Sequence, residues 1–144
     1  FLIDVLKGTT AVFIAKEILL MPDIWQVIAG ISALIGHIWP IWLKGKGGKA
    51  VATGLGMLLG LSWQVGLACL GVFLIVLITS KIVSLSSIVA VSSLPLLMIL
   101  NFKDNFSIPY FSSTLIAMIF IFWRHRTNIK RLIAGTEPKL GEQL

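Results

Sequence analysis

Three polar islands interrupt a mostly apolar chain, and each holds residue types suited to handling an anion. The most informative begins at Gly36-His37-Ile38-Trp39-Pro40 and continues through Lys46-Gly47-Gly48-Lys49 to Val51-Ala52-Thr53. Glycines let the backbone approach an anion closely and aim successive N–H groups at it. The loop then opens a helix, whose N-terminus favours a phosphate. Lys46 and Lys49 add point charges. The segment reads as a phosphate cradle or, with equal warrant from spacing alone, as a basic loop at a membrane surface. It is not a Walker A loop, which needs a different glycine spacing and a Ser or Thr directly after the Lys. His37 taken by itself reads as structural.

The second island is Arg124-His125-Arg126-Thr127-Asn128-Ile129-Lys130-Arg131-Leu132, followed by Gly135, Glu137 and Lys139. On a continuous helix Arg124, Asn128 and Arg131 share one stripe and His125 adjoins Asn128. The bland alternative is a polybasic segment binding anionic lipid, although such a tail has no need of His and Asn. In the third island Asp4 and Lys7 are three residues apart, share a helix face and can pair. They form either a surface ion pair or support for a neighbouring site.

The elements that must hold these islands are membrane helices. Of 144 residues 57% are hydrophobic and only 12% charged, about half the charge of an ordinary soluble domain. Too few polar residues remain to cover a water-facing surface. A span needs roughly 20 apolar residues. Candidate spans run over 2–20, 24–43, 85–100 and 108–123, with the last continuing as helix from Arg124 to Ala134 until Gly135 stops it. Between Ala50 and Ser80 no charge appears for 31 positions, long for one crossing and short for two. Gly60-Leu61-Ser62-Trp63 is the expected break.

Two crossings there make six helices and place both chain ends on one side. That side then holds Lys7, Lys44, Lys46, Lys49, Lys81, Arg124, Arg126, Lys130, Arg131 and Lys139, leaving only Lys16 and Lys103 elsewhere. By the positive-inside rule the basic side is cytoplasmic. The net charge of +6 is therefore an orientation signal and points to membrane lipid or a phosphorylated substrate, not to nucleic acid. The expectation is an all-α polytopic membrane protein, a single domain over 1–144. Phe1 in place of Met suggests a chain truncated at its N-terminus. The lone Cys69 makes neither a disulfide nor a metal cluster, and no metal site is expected.

In this setting Lys46-Gly47-Gly48-Lys49-Ala50-Val51-Ala52-Thr53 resembles the second motif of the bacterial acyl-phosphate:glycerol-3-phosphate acyltransferases, and the preceding Gly36-His37 and Pro40 are similar to that family too. Arg124-His125, Asn128-Ile129, Arg131-Leu132, Gly135, Glu137 and Lys139 resemble its third motif closely. Asp4, Lys7 and Gly8 resemble the start of its second helix, and Val83 to Ile88 a short serine-containing segment after its fifth. Position 50 departs from the pattern, with Ala where the family usually has Gly, a change expected to narrow the loop. The family's first helix and first motif have no counterpart here, so six of its seven helices are expected.

The resemblance implies acyl transfer from acyl phosphate to the 1-hydroxyl of glycerol 3-phosphate, giving lysophosphatidic acid and phosphate, with no metal or organic cofactor. It implies His125 and Asn128 as the catalytic pair that binds and orients glycerol 3-phosphate. Lys46, Gly47, Gly48, Lys49, Ser84, Ser86 and Arg131 form the substrate-binding set, supported by Asp4, Lys7, His37 and Glu137. It also implies a bacterial plasma membrane with the active face cytoplasmic. Because acyl phosphate is already activated, alignment and charge stabilisation suffice without a protein nucleophile, and the proton goes to the donor's phosphate or to His125. Two rivals stand beside this reading. A small anion transporter would need polar residues across the bilayer, whereas these cluster on one face. A non-catalytic scaffold would have no use for the His125–Asn128 pattern.

Overall fold

The computed structural model describes residues 1–44, 47–102 and 106–141. The described residues are helical, in seven α-helices: α1 (Leu2–Phe13), α2 (Asp23–Ile38), α3 (Val51–Leu61), α4 (Trp63–Ser80), α5 (Val83–Asn101), α6 (Ile108–Arg124) and α7 (Arg126–Ile133). A π-helical stretch, Ile14–Ile18, extends α1, and a 3-10 turn, Ile41–Leu43, follows α2. Three segments, Asp23–Leu43, Trp63–Ser80 and Val83–Asn101, are long and apolar enough to cross a membrane, while α3 and α6 are apolar but shorter.

The uncharged run breaks within the expected tetrapeptide. Ser62 takes an extended conformation and its hydroxyl caps α4 by accepting from the Val65 N–H. At 11 residues, α3 rises only ~16 Å. It is accommodated by close crossing with α1. A Cβ on Gly56 would lie 1.9 Å from the Val5 carbonyl oxygen, and one on Gly8 would lie 2.3 Å from that of Thr53. Only glycine permits such an approach, and Thr9 ties the crossing by donating to the Gly56 carbonyl at 2.9 Å. In lipid, where apolar transfer gives helices little reason to associate, close packing and interhelical hydrogen bonds hold the bundle.

The centre is filled by pairs spaced one turn apart: Leu34 and Ile38 on α2, Met57 and Leu61 on α3, Leu94 and Met98 on α5, all fully buried. Large apolar side chains also face outward, such as Leu74, Ile75 and Ile78 on α4, as a lipid-facing surface requires. The last helix departs from expectation. It does not run unbroken from Arg124 to Ala134. It breaks at His125 (φ −95°, ψ 7°), whose backbone N–H is shared between the carbonyls of Ile121 and Phe122 while its ring bonds the Ile121 carbonyl. The short helix α7 therefore sets off in a new direction, ending at Gly135 with φ +68°.

Candidate active site

The glycine segment folds back on the end of α2, where the Gly47 N–H donates to the Ile38 carbonyl at 3.2 Å. No side chain fits there. A Cβ on Gly47 would stand 2.1 Å from the His37 carbonyl oxygen, and one on Gly48 would stand 2.2 Å from His37 Nε2. From the other side Arg124 grips the segment, Nε to the Gly48 carbonyl at 3.0 Å and one terminal nitrogen to that of Gly47 at 2.6 Å. Ion-assisted bonds of this kind are stronger than neutral ones. The chain then enters α3 through Ala50, which takes the left-handed conformation (φ +62°), and no side chain caps the helix. The first-turn N–H groups of α3 thus keep their attraction for an anion.

Across the cavity, Glu137 is the hub of the C-terminal motif. Gly135 turns the chain so that the carboxylate returns toward α5 and α7. One oxygen accepts from Ser84 Oγ at 2.6 Å and Asn128 Nδ2 at 2.5 Å, the other from Arg131 Nε at 2.6 Å. Burial works against the charge, yet the bonds from Arg131, Ser84 and Asn128 outweigh it and bring the Glu137 pKa down to about 2. The tail beyond is anchored by the Leu140 N–H on the Lys81 carbonyl, 2.7 Å.

These two halves enclose a cavity of about 510 Å³ lined by His37, Lys49, Ser84, Ser87, His125, Asn128, Arg131 and Glu137, with the N-terminus of α3. Lys49 has no carboxylate within ion-pair distance among the described residues. Burial, then the charges of Arg131 and Arg124, lower its pKa, while Glu137 acts the other way. His125 is 2% exposed. Its Nδ1 faces the Ile121 carbonyl at 2.9 Å, which can only accept, so Nδ1 carries the hydrogen and Nε2 the lone pair. Burial is the main cause of its lowered pKa, and nearby Lys49 and Arg124 add to it. Burial and the cationic neighbours thus favour the neutral imidazole of His125. Asn128 gives its amide hydrogen to Glu137 while its Oδ1 is buried without a partner. An orphan acceptor in a cavity wall is a place for a ligand's donor.

The structure thus brings together Lys49, Ser84, His125, Asn128, Arg131 and Glu137, whereas Gly47 and Gly48, expected to bind substrate, line an outer pocket with Asp4 and Lys7 and reach the site only through the Arg124 clamp. Lys46 lies outside the described residues. Asp4, Lys7 and His37 stand behind the glycine segment, where Asp4 Oδ1 is 3.4 Å from both Lys7 Nζ and His37 Nδ1. Ser86 does not reach the cavity: it is fully buried and donates to the Ile82 carbonyl at 2.8 Å. Helical rotation of one residue brings Ser87 to the wall instead. Ser84 reaches it with its hydroxyl already given to Glu137. The break at His125 also splits the expected stripe, sending Arg124 to the glycine segment and Asn128 and Arg131 to Glu137. Two features went unread in sequence, the Arg124 clamp and the buried, unpartnered Thr53 hydroxyl.

Below the polar cavity lies an apolar cleft between α3, α4, α5 and α6, lined by Leu55, Leu58, Leu70, Phe73 and Leu94 and sharing Val51 and Ser87 with the cavity wall. A cationic pocket at one end of a helical bundle, sharing wall residues with an apolar cleft, belongs to an all-α polytopic membrane protein. The sequence pattern of the glycerol-3-phosphate acyltransferase family matches residues 1–135, and the chain belongs to that family. It is 59% identical over 142 residues to a glycerol-3-phosphate acyltransferase of Prochlorococcus marinus strain SARG, covering 99% of this chain and 69% of that one. The enzyme of the same name from P. marinus strain MIT 9313 is 64% identical, with the same shares covered. The crystal structure of an integral membrane glycerol 3-phosphate acyltransferase, PlsY, in its glycerol 3-phosphate form superposes with a TM-score of 0.88 at 31% identity, over 97% of this chain and 68% of that one.

Proposed function

We propose that this membrane acyltransferase of phospholipid synthesis moves an acyl group from acyl phosphate to the sn-1 hydroxyl of glycerol 3-phosphate, releasing lysophosphatidic acid and phosphate. The observation that carries the reading is the convergence of Lys49, His125, Asn128 and Arg131 on one cavity that opens onto an apolar cleft. The donor's phosphate rests on Lys49 and the uncapped start of α3, which the segment of Gly47 and Gly48 holds in place, and its tail lies in the cleft. Glycerol 3-phosphate is held by His125, Asn128 and Arg131, with a hydroxyl donating to the free Oδ1 of Asn128. Glu137 fixes Asn128 and Arg131, while Asp4, Lys7 and His37 back the glycine segment. Within one domain and six crossings, the site opens on the cytoplasmic face of the bacterial plasma membrane.

The hydroxyl attacks the acyl carbonyl, the carbonyl–phosphate oxygen bond breaks and phosphate leaves. Holding both reactants in register supplies most of the acceleration, and Lys49 offsets the charge that develops on the leaving phosphate. The neutral Nε2 of His125 is able to take the hydroxyl proton; the departing phosphate is the other acceptor. Near-normal turnover of His125→Gln at saturating substrate would eliminate the imidazole as base.

The deciding experiment measures phosphate release from a long-chain acyl phosphate by the full-length gene product in lipid vesicles. Release should require glycerol 3-phosphate and collapse in Lys49→Ala and Asn128→Ala. A folded protein that releases none would overturn the proposal.

A further inference from the structure

We infer that the apolar cleft selects acyl phosphates by chain shape, holding the first carbons of the tail straight, about eight of them, and leaving the rest in lipid. The inference rests on the proposed seating of the donor's tail in that cleft, and it names the walls that choose the tail.

The cleft is the inside of a V. Helices α3 and α4 are joined at Ser62. Just past the vertex they touch, since a Cβ on Gly66 would stand 2.8 Å from Leu59 Cδ2. Toward the glycine end they part, and α5 and α6 close the gap between them. At the rim, Val51, Phe73 and Ser87 belong both to the cleft and to the polar cavity. Cys69, Ala90 and Ala117 line the middle, and Leu58 and Leu94 lie deepest. One turn further on, Leu61, Val65 and Met98 are each 1% exposed and take no part in the walls. The cleft ends there.

Its depth follows from the helices. Val51 to Leu58 on α3 and Ser87 to Leu94 on α5 are equal stretches of two turns, a rise of ~10 Å. An extended methylene chain advances ~1.25 Å per carbon, from the C–C bond length and angle. About eight carbons therefore fill the cleft. The donor arrives from a bilayer as apolar as these walls, so transfer from lipid does little to choose among chains. Fit does the choosing. Leu58, Val91, Leu94 and Ala117 are at most 4% exposed and are packed from behind by the bundle. Halfway down, Cys69 Sγ lies 3.6 Å from the Ala90 carbonyl oxygen, which fixes the spacing of α4 and α5. An added methyl group at that level has to displace close-packed side chains. Leu55, Leu70 and Phe73 are only half-buried and border the side through which later carbons leave for the bilayer.

The test is a competition in lipid vesicles. The full-length gene product receives glycerol 3-phosphate and two sixteen-carbon acyl phosphates at equal mole fraction, one straight and one methyl-branched. Mass spectrometry of the two lysophosphatidic acids gives the ratio of their kcat/KM values. A branch on the sixth carbon should lower use of the donor about tenfold, the effect of overpacking a rigid wall. A branch on the fourteenth should leave it unchanged. Cys69→Ala, which frees room for a methyl group at mid-depth, should recover most of the sixth-carbon loss. Equal discrimination at both positions, or none at either, overturns the inference. So does a sixth-carbon loss that Cys69→Ala leaves intact. If Cys69→Ala fails to fold, the comparison of branch positions in the unaltered protein decides alone. Transfer of the straight chain without regard to branch position sinks this inference only. A folded protein that transfers no straight chain sinks the reading of the site first.

Discussion

The two ends of the bundle carry polar pockets of nearly equal size, about 510 Å³ at the glycine segment and about 530 Å³ at the opposite end. In the second, Ser62, Ser107 and Lys16 are already committed at helix termini. Ser62 caps α4 and receives a bond from Asn101 at 3.2 Å. Ser107 caps α6 and donates to Asp23 in the first turn of α2 at 2.6 Å. Lys16 bonds the Leu61 carbonyl at the end of α3, 3.2 Å away, where a cation suits the helix dipole. At the glycine end, by contrast, capacity is left over: α3 lacks a side-chain cap, Asn128 Oδ1 has no partner and, among the described residues, Lys49 has no carboxylate within ion-pair distance. Size and polarity alone do not make a site; unspent bonding capacity, aimed inward, does.

The sharpest way to break this comparison is to remove one lysine at each end. Lys49→Ala should lower acyl transfer on the order of a hundredfold, as expected for losing a charge that meets developing negative charge. Lys16→Ala should leave turnover unchanged and lower the melting temperature of the purified protein. Equal activity losses from both would show that the opposite pocket also takes part in the reaction.

Glu137 tests the same idea from inside the site. Replacing it with Gln removes the charge that gathers Arg131, Asn128 and Ser84. The expected cost is about 2 kcal/mol of stability, with a turnover loss of about tenfold as Asn128 and Arg131 lose register. The native pKa near 2 lies below the ordinary value of 4.5. The carboxylate's contribution is therefore complete above pH 4.5 and is lost as pH falls through 4.5 toward 2. Thermal melts across that window should show a decline that the Gln variant lacks.

Much of this was legible in the sequence because membrane helices announce themselves by missing charge. The break within Gly60-Leu61-Ser62-Trp63 was readable from a run too long for one crossing. The motif resemblance gave Glu137 only a supporting role; that its carboxylate gathers Ser84, Asn128 and Arg131 is a matter of tertiary structure. The break at His125 was not legible, since no Gly or Pro marks it; the cause is a side chain taking a carbonyl of its own helix. The Arg124 clamp was hidden for a different reason: its partners are backbone carbonyls 77 and 76 residues away, which no residue type encodes. Ser86 and Ser87 could be told apart only by the rotation of α5.

A smaller effect is expected from the capped end. Ser107→Ala removes the α6 cap and the bond to Asp23, a loss of about 1 kcal/mol, with turnover unaffected. A fall in turnover at full substrate, with the protein still folded, would mean that the two pockets communicate through the bundle.

The smallest effect should run in the favourable direction. Ala50 differs from the family pattern, and the expected consequence was a narrower loop. The structure relocates that consequence to the backbone: Ala50 is 2% exposed and sits at φ +62°, where a Cβ crowds the neighbouring carbonyl at a cost of about 1–2 kcal/mol. Glycine removes the Cβ but adds freedom to the unfolded chain, which takes back part of the gain. Ala50→Gly should therefore stabilise the protein by at most about 1 kcal/mol, read as a raised melting temperature, with both KM values unchanged because the backbone path is already the one glycine prefers. A lowered melting temperature would mean that the methyl group contributes packing worth more than the strain. A shift in the acyl phosphate KM alone would mean that loop width, not backbone strain, is what residue 50 controls.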